Sequence, residues 1–325
     1  MPSLSAAQYG KDNIRVCKVS RDASTGMQSV TEMTVTVLLS GGISISYTAG
    51  DNSVVVPTDT MKQTTYIMAK QHPVNPPELF AAILSNHFVT TYPHLNTASI
   101  KVVQHRWARI SVDGRPHPHS FSRDGNETRH AEAISSRLPD NKISISIKSS
   151  IVDLLVLKST GSAFHGFIQD SYTILKPTND RILSTSVTAN WTWATLQGLT
   201  GVEAAAKEGL FDHAWTTARD ITLKTFAQEA SASVQATMYK MAELILGQVK
   251  QVKDVEYVLP NKHYFEIGTF SASLASTTVI HSTNPHGDTD LSWHKGLKNT
   301  GADAEVYAPQ SDPNGLIQCI VSRDS

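Results

Sequence analysis

Met33-Thr34-Val35-Thr36-Val37-Leu38-Leu39-Ser40-Gly41-Gly42-Ile43-Ser44-Ile45-Ser46-Tyr47 is the stretch whose reading decides the fold class. Met33, Val35, Val37 and Leu39 recur at every second position, the period at which side chains share one face of a strand. Ser40-Gly41-Gly42 supplies turn residues, and Ile43, Ile45 and Tyr47 then alternate with Ser44 and Ser46. The pattern predicts a β-hairpin with one apolar face. An earlier strand is expected over residues 13–19.

Outward from this hairpin the period changes. A helix is expected from Thr58-Asp59-Thr60 toward Lys70, and a second from Pro76-Pro77-Glu78, where proline suits the first turn. Leu79, Phe80, Ile83, Leu84 and Phe88 form the apolar face of the second helix. Strands return over 99–110 and around 119–123. The second half repeats the order. Ile143, Ile145 and Ile147 alternate with serines, and the run from Leu155 to Lys158 is expected to pair with them. Val187, Ala189, Trp191 and Trp193 alternate again, two helices are expected over 212–228 and 233–249, and a strand over 255–267. Each half therefore reads as strands, two helices, strands. We expect an α+β protein built as a tandem duplication, with units at 1–140 and 141–325. Helix pairs should cover one face of each antiparallel sheet, which leaves other surface for neighbouring subunits.

Bulk composition excludes several classes. The 325 residues are 40% hydrophobic and 18% charged, as in ordinary globular chains. With 28 basic and 29 acidic residues there is no cationic footprint for nucleic acid. No apolar run approaches the ~18 residues of a membrane span. Met1-Pro2-Ser3-Leu4-Ser5 does not read as a signal peptide. Two cysteines, Cys17 and Cys319, make no disulfide framework and fit a reducing compartment.

The chemistry is concentrated between Leu155 and Arg181. An apolar strand ends in Lys158-Ser159-Thr160, then Phe164, Phe167, Tyr172 and Leu175 follow, and Arg181 closes the run. A flat, anionic heterocycle needs an aromatic face to stack on and a guanidinium fork for its oxygen and nitrogen edge. Phe164 and Arg181 are of those types. The plainer alternatives are a core phenylalanine and an arginine paired with Asp180 or Asp170. Gln235 falls in the first turn of a predicted helix, with Ser231 or Ser233 as N-cap candidates. Free N–H groups and the positive dipole end suit an anion there, so the Val234 N–H and the Gln235 amide could bond a ring opposite Arg181. The alternative is a glutamine on a solvated turn. Asn261 and His263, two apart on a predicted strand, share a face about 7 Å apart. They could hold a water or dioxygen above a stacked ring, or merely line an exposed side.

Several further segments carry a family likeness: Tyr9-Gly10-Lys11-Asp12-Asn13, Pro57-Thr58-Asp59-Thr60-Met61-Lys62, Ser231-Ala232-Ser233-Val234-Gln235-Ala236-Thr237, Leu259-Pro260-Asn261-Lys262-His263-Tyr264-Phe265-Glu266-Ile267, Asp290-Leu291-Ser292-Trp293-His294-Lys295-Gly296-Leu297 and Ala308-Pro309-Gln310-Ser311-Asp312-Pro313-Asn314-Gly315. In this order, with the 155–181 run, they resemble the urate oxidases (uricases) over nearly all of residues 6–267 and 290–322. The resemblance implies two tandem T-fold (tunnelling-fold) units per chain, assembled as a homotetramer around a barrel. It implies oxidation of urate by dioxygen and water to 5-hydroxyisourate and hydrogen peroxide, with neither metal nor organic cofactor. It implies that Arg181 and Gln235 clamp the purine while Phe164 stacks on it. Lys11 and Thr58 would move protons and, with Asp59, come from the neighbouring subunit; Asn261 and His263 would govern the oxygen and water site. A peroxisomal location is also implied, although Val321-Ser322-Arg323-Asp324-Ser325 carries no Ser-Lys-Leu-type address.

Gly268–Thr289 departs from the family pattern. These 22 residues are rich in serine and threonine and interrupt the run from Glu266-Ile267 to Asp290-Leu291. Loop closure tolerates the length, at ~0.6 kcal/mol per doubling, so a surface excursion is expected. Two other functions fit the residues. One is a purine- or pterin-binding T-fold protein made inactive by the insert. The other is a zinc-dependent T-fold enzyme using His117 and His119 of Arg115-Pro116-His117-Pro118-His119, with His105 or His130. No Cys-x-x-Cys, His-Glu-x-x-His or dinucleotide fingerprint accompanies those histidines.

Overall fold

The computed structural model describes residues 2–194, 196, 198–267, 291, 294–299 and 303–323. The insert expected at 268–289 lies outside them, as does part of the 290–297 motif. In chain order the elements are β1 (Tyr9–Arg21), β2 (Gln28–Gly41), α1 (Ser44–Thr48), α2 (Thr58–Gln71), α3 (Pro77–Thr91), β3 (Leu95–Val112), β4 (Arg115–Arg137), β5 (Ile143–Lys158), β6 (Leu183–Trp193), α4 (Gly198–Lys207), α5 (Leu210–Gln228), α6 (Val234–Gln248), β7 (Val252–Glu266) and β8 (Tyr307–Ser322). The strands form a single antiparallel sheet in sequence order, β1 to β8. The fold is α+β, an antiparallel sheet with helices. Among the described residues no helix is long and apolar enough to cross a membrane.

The alternation read from the sequence is what covers the sheet. Met33, Val35, Val37 and Leu39 are fully buried, with Ile100 and Val102 on β3, Ala133 on β4, Ile147 on β5, Val187, Ala189 and Trp191 on β6, and Val255 and Tyr257 on β7. Each such Val, Leu, Ile or Met side chain contributes about 1.5–3 kcal/mol of burial, partly offset by the entropy of ordering it. Against this face α2 packs on β1, α3 crosses β3 to β5, and α6 lies on β7 and β8. Pro77 stands in the first turn of α3, as expected. That helix is buried on more than one side, because Ala81 and Ala82 let neighbours approach closely.

A polar knot ties α3 to β4, β5, β6 and α5. Glu78 of α3 is fully buried and accepts from Arg129 Nη2 (2.8 Å) and Ser149 Oγ (2.7 Å). Ser149 Oγ in turn accepts from Trp193 Nε1 at 2.8 Å, and Arg129 also pairs with Asp212 of α5. The half boundary expected at 140/141 falls in the turn between β4 and β5. The sheet runs straight across it, in unbroken register from Thr128↔Val152 to Arg137↔Ile143.

Three sequence expectations are corrected. Ile43, Ile45 and Tyr47 do not form the second arm of a hairpin: residues 44–48 are a short helix. Strand β2 already has β1 and β3 on its two edges, so no edge is left for that arm, and only Ile43 enters the core while Ile45 and Tyr47 stay exposed. Residues 143–147 and 155–158 do not pair with each other, because both belong to the one long strand β5, flanked by β4 and β6. Helix α4 adds a third helix to the second half and buries only Val202 and Ala205, too short an apolar stripe to read from periodicity.

Candidate active site

Beyond β5 the chain is sewn into place by short hydrogen bonds. Asp180 accepts from Thr160 Oγ1 (2.6 Å) and from the Gly161 N–H (2.7 Å). Both bonds hold its carboxyl below the usual carboxylate range, the Thr160 hydroxyl most of all. The Ser231 N–H donates to Gly161 O (3.0 Å), and the Ala163 N–H donates to Ser231 O (2.9 Å). Phe164 and Thr178 exchange both backbone bonds, at 2.8 and 2.9 Å. Three separate segments, 160–164, 178–181 and 231–234, thus converge.

Within this convergence the guanidinium carbon of Arg181 stands 4.9 Å from the Phe164 ring centroid. Arg181 is partly buried, its Nε has no hydrogen-bond partner, and desolvation pulls its pKa below the ordinary arginine value. The ion pair with Asp180 considered for it is not formed, because that carboxylate faces Thr160 and Gly161. Ser233 caps α6: its backbone is extended and its Oγ accepts from the Ala236 N–H at 3.4 Å. Val234, buried, and Gln235, exposed, therefore head the helix, where first-turn N–H groups have no intrahelical acceptor. The Gln235 Oε1 accepts from Ser233 Oγ at 2.9 Å.

Asn261 and His263 lie on β7, next to β6. Asn261 sits opposite Thr185 of β6 and Gly315 of β8, and its Oδ1 is buried with no hydrogen-bond partner. His263 sits opposite Gln310, and the register of β8 shifts between the two. Both side chains are half-buried.

Lys11, Thr58 and Asp59 form a second group. Lys11 lies on β1 opposite Val37, immediately before a bulge at which Asn13 takes a φ of 57°. Its neighbour Gly10 must be glycine: a Cβ there would stand 1.7 Å from Val37 O. Thr58 and Asp59 open α2 behind Pro57. Asp59 bonds Lys62, which lowers its carboxyl pKa, and the charge of Lys11 adds to that lowering. Along the sheet, β1 and β7 are six strand spacings apart, about 30 Å. Among the predicted site residues, Phe164 and Arg181 meet near the head of α6 with Val234 and Gln235, Asn261 and His263 lie on β7, and Lys11, Thr58 and Asp59 stand apart on β1 and α2.

Sequence reasoning missed the bonds by which Asp180 holds Thr160 and Gly161; only the adjacency of Asp180 to Arg181 signalled that carboxylate. His117 and His119 meet edge to face, ring centroids 4.6 Å apart, and among the described residues no third metal-binding side chain joins them.

Comparison with known proteins bears on this site. The uricase family model matches residues 7–134 and 147–318. A uricase of Aspergillus flavus is 54% identical over 325 residues, covering 100% of this chain and 98% of its own. A uricase of Cyberlindnera jadinii is 46% identical, covering 99% and 97%. The crystal structure of uricase from Arthrobacter globiformis superposes with a TM-score of 0.78 at 31% identity, covering 100% of this chain and 96% of that one. From the matched sequence, the shared fold and the converging site, the chain belongs to the uricase family, and its activity is that of a urate oxidase, an oxidoreductase.

Proposed function

We propose that the Phe164–Arg181 convergence is where urate binds and is oxidised, with dioxygen and water as co-substrates and 5-hydroxyisourate and hydrogen peroxide as products. The purine anion stacks on Phe164. Arg181 gives it two parallel N–H bonds, and the Val234 N–H with the Gln235 amide holds the opposite edge. Asn261 and His263 hold the oxygen or water above the ring. Lys11 and Thr58 move the protons, and the backbone of Asp59 faces the substrate. In this reading no organic cofactor or metal takes part, because the deprotonated, electron-rich purine is itself the electron donor. The protein supplies binding, desolvation and proton traffic.

The observation that carries this reading is the Arg181 guanidinium over the Phe164 ring, its buried Nε without a hydrogen-bond partner, with a second unpartnered buried polar atom, Asn261 Oδ1, on β7. Buried polar groups are nearly always bonded, so such atoms mark places where a polar ligand belongs.

Assembly supports the split of the site into two groups. Among the described residues β1 and β8 are sheet edges, each with one partner, and long open edges invite pairing with another chain. In a homotetramer that sets β1 of one subunit beside β8 of its neighbour, the Lys11 group comes within two strand spacings of β7, about 10 Å. The two T-fold units of each chain, 1–140 and 141–325, then build one barrel wall, with active sites at subunit interfaces. Peroxisomal residence is part of the same reading, and fractionation of the host cell tests it.

Lys11→Met tests the proton role. Turnover should collapse by about 10²-fold or more, the usual contribution of a general acid–base group, while the affinity for the purine analogue 8-azaxanthine changes little. Unchanged turnover removes Lys11 from the mechanism.

A further inference from the structure

Phe164-His165-Gly166-Phe167 reverses the chain so that one phenyl ring lies on another. The two ring centroids are 4.8 Å apart and the planes are inclined by 15°, a parallel stack. Gly166 makes the reversal possible: its φ is +72°, a conformation other residues adopt at a cost. Nothing stands near the position of a Cβ there, so this glycine serves the backbone and not packing. Phe164 itself is only half-buried, on a loop, and is pinned through its backbone to Thr178. Backbone bonds fix where the ring is attached. They do not fix the plane in which it stands.

We propose that Phe167 is a positioning residue for the urate site, one that holds the Phe164 ring in the plane a purine must meet. This rests on Phe164 being the stacking platform. A flat anion that stacks on Phe164 and takes the Arg181 fork edge-on occupies the side of the ring where the guanidinium stands. Among the described residues Arg181 makes its cation–π contact with Phe164 and makes none with Phe167. That assigns Phe167 to the other side of the ring, behind the platform. Stacked aromatic pairs prefer an offset parallel arrangement, so the rear ring restrains tilt and rotation of the front one. The pair also leaves the front face presented before substrate arrives, which spares binding the ordering of a loose side chain.

The test measures 8-azaxanthine dissociation constants and urate kinetics for Phe167→Leu, Phe167→Tyr, Phe164→Leu and the Phe164→Leu/Phe167→Leu double variant, all as full-length protein. Phe167→Leu should weaken 8-azaxanthine binding and raise KM about three- to tenfold, the range of an aromatic pair, with kcat moving far less. Phe167→Tyr, which keeps the parallel ring, should restore both. The double variant should be no weaker than Phe164→Leu, because Phe167 acts only through that ring. Gly166→Ala, which disturbs the reversal without touching either ring, should shift affinity in the same direction. If Phe164→Leu weakens binding and Phe167→Leu does not, or if the two effects add, the proposal is overturned. Tighter binding by Phe167→Leu also overturns it, since the ring would then be a competitor for the platform. If Phe164→Leu itself leaves affinity unchanged, it is the site assignment that falls.

Discussion

The guanidinium of Arg181 stands over the ring of Phe164, 4.9 Å from its centroid, although 16 residues of chain separate the two in sequence. A parallel N–H fork is thereby placed beside an aromatic face, in a partly desolvated setting. Lysine carries the same charge but neither the fork nor the planarity. Arg181→Lys should lower kcat/KM for urate by about 10- to 100-fold, the equivalent of one or two charge-assisted hydrogen bonds. Initial-rate kinetics by loss of urate absorbance measures it; a change within twofold would place the clamp elsewhere.

The separation of the Lys11 group from the Phe164–Arg181 group predicts complementation between subunits. Lys11→Met and Arg181→Ala variants should each be nearly inactive alone. Mixed tetramers, formed by unfolding and refolding the two together, should recover about a quarter of wild-type activity, because a heterologous site draws one group from each chain. Absence of recovery in verified mixed tetramers would mean that each site is built within one chain.

His130 predicts the acid limb of stability. It lies on the sheet face away from the helices, half-buried, with its Nε2 2.9 Å from Thr128 Oγ1. Burial pulls its pKa down to about 4, with the charge of Lys101 acting in the same direction and Asp153 opposing. The unfolded chain holds this proton up to about pH 6.5. Stability from neutral His130 is therefore complete above that pH and is lost as pH falls toward 4. Thermal unfolding between pH 7 and 5 should show a falling midpoint, and His130→Gln should flatten that slope. An equally steep slope in the variant would rule His130 out as its source.

Glu78 predicts where the fold breaks. Its carboxylate has no solvent exposure and is held by Arg129 and Ser149. Glu78→Ala leaves a largely buried guanidinium whose only counter-ion among the described residues is the exposed Asp212. The expected loss is about 3–5 kcal/mol, typical of breaking one partner of a buried pair. Urea unfolding measures it. A loss under about 1 kcal/mol, the scale of surface pairs, would mean that the knot is not what holds α3 to the sheet.

Much of the architecture was legible because strand and helix periods are local properties. The alternations at Met33–Leu39 and Val187–Trp193 place each of those odd-numbered residues in the core, and the proline before Glu78 marks the start of α3. Ile43-Ser44-Ile45-Ser46-Tyr47 misled for a reason that is not local: alternation proposes a strand, but a strand needs a free edge, and both edges of β2 were taken. In the site, residue types and spacing named Phe164, Arg181, Gln235 and Asn261. They could not disclose that Asp180 turns from its neighbour Arg181 toward Thr160, or that Ser231 ties the loop to the head of α6.

The order of residues alone determined the α+β class, most of the strands and helices, and the chemical types offered for a planar anion. Those follow from side-chain periodicity and functional-group identity, which each segment carries without its neighbours. Tertiary structure decided which ring face meets the guanidinium, which buried atoms lack partners, and that Lys11 stands six strands from Asn261. Such relations depend on strand order and register, and those are settled by competition among all segments for the same sheet edges.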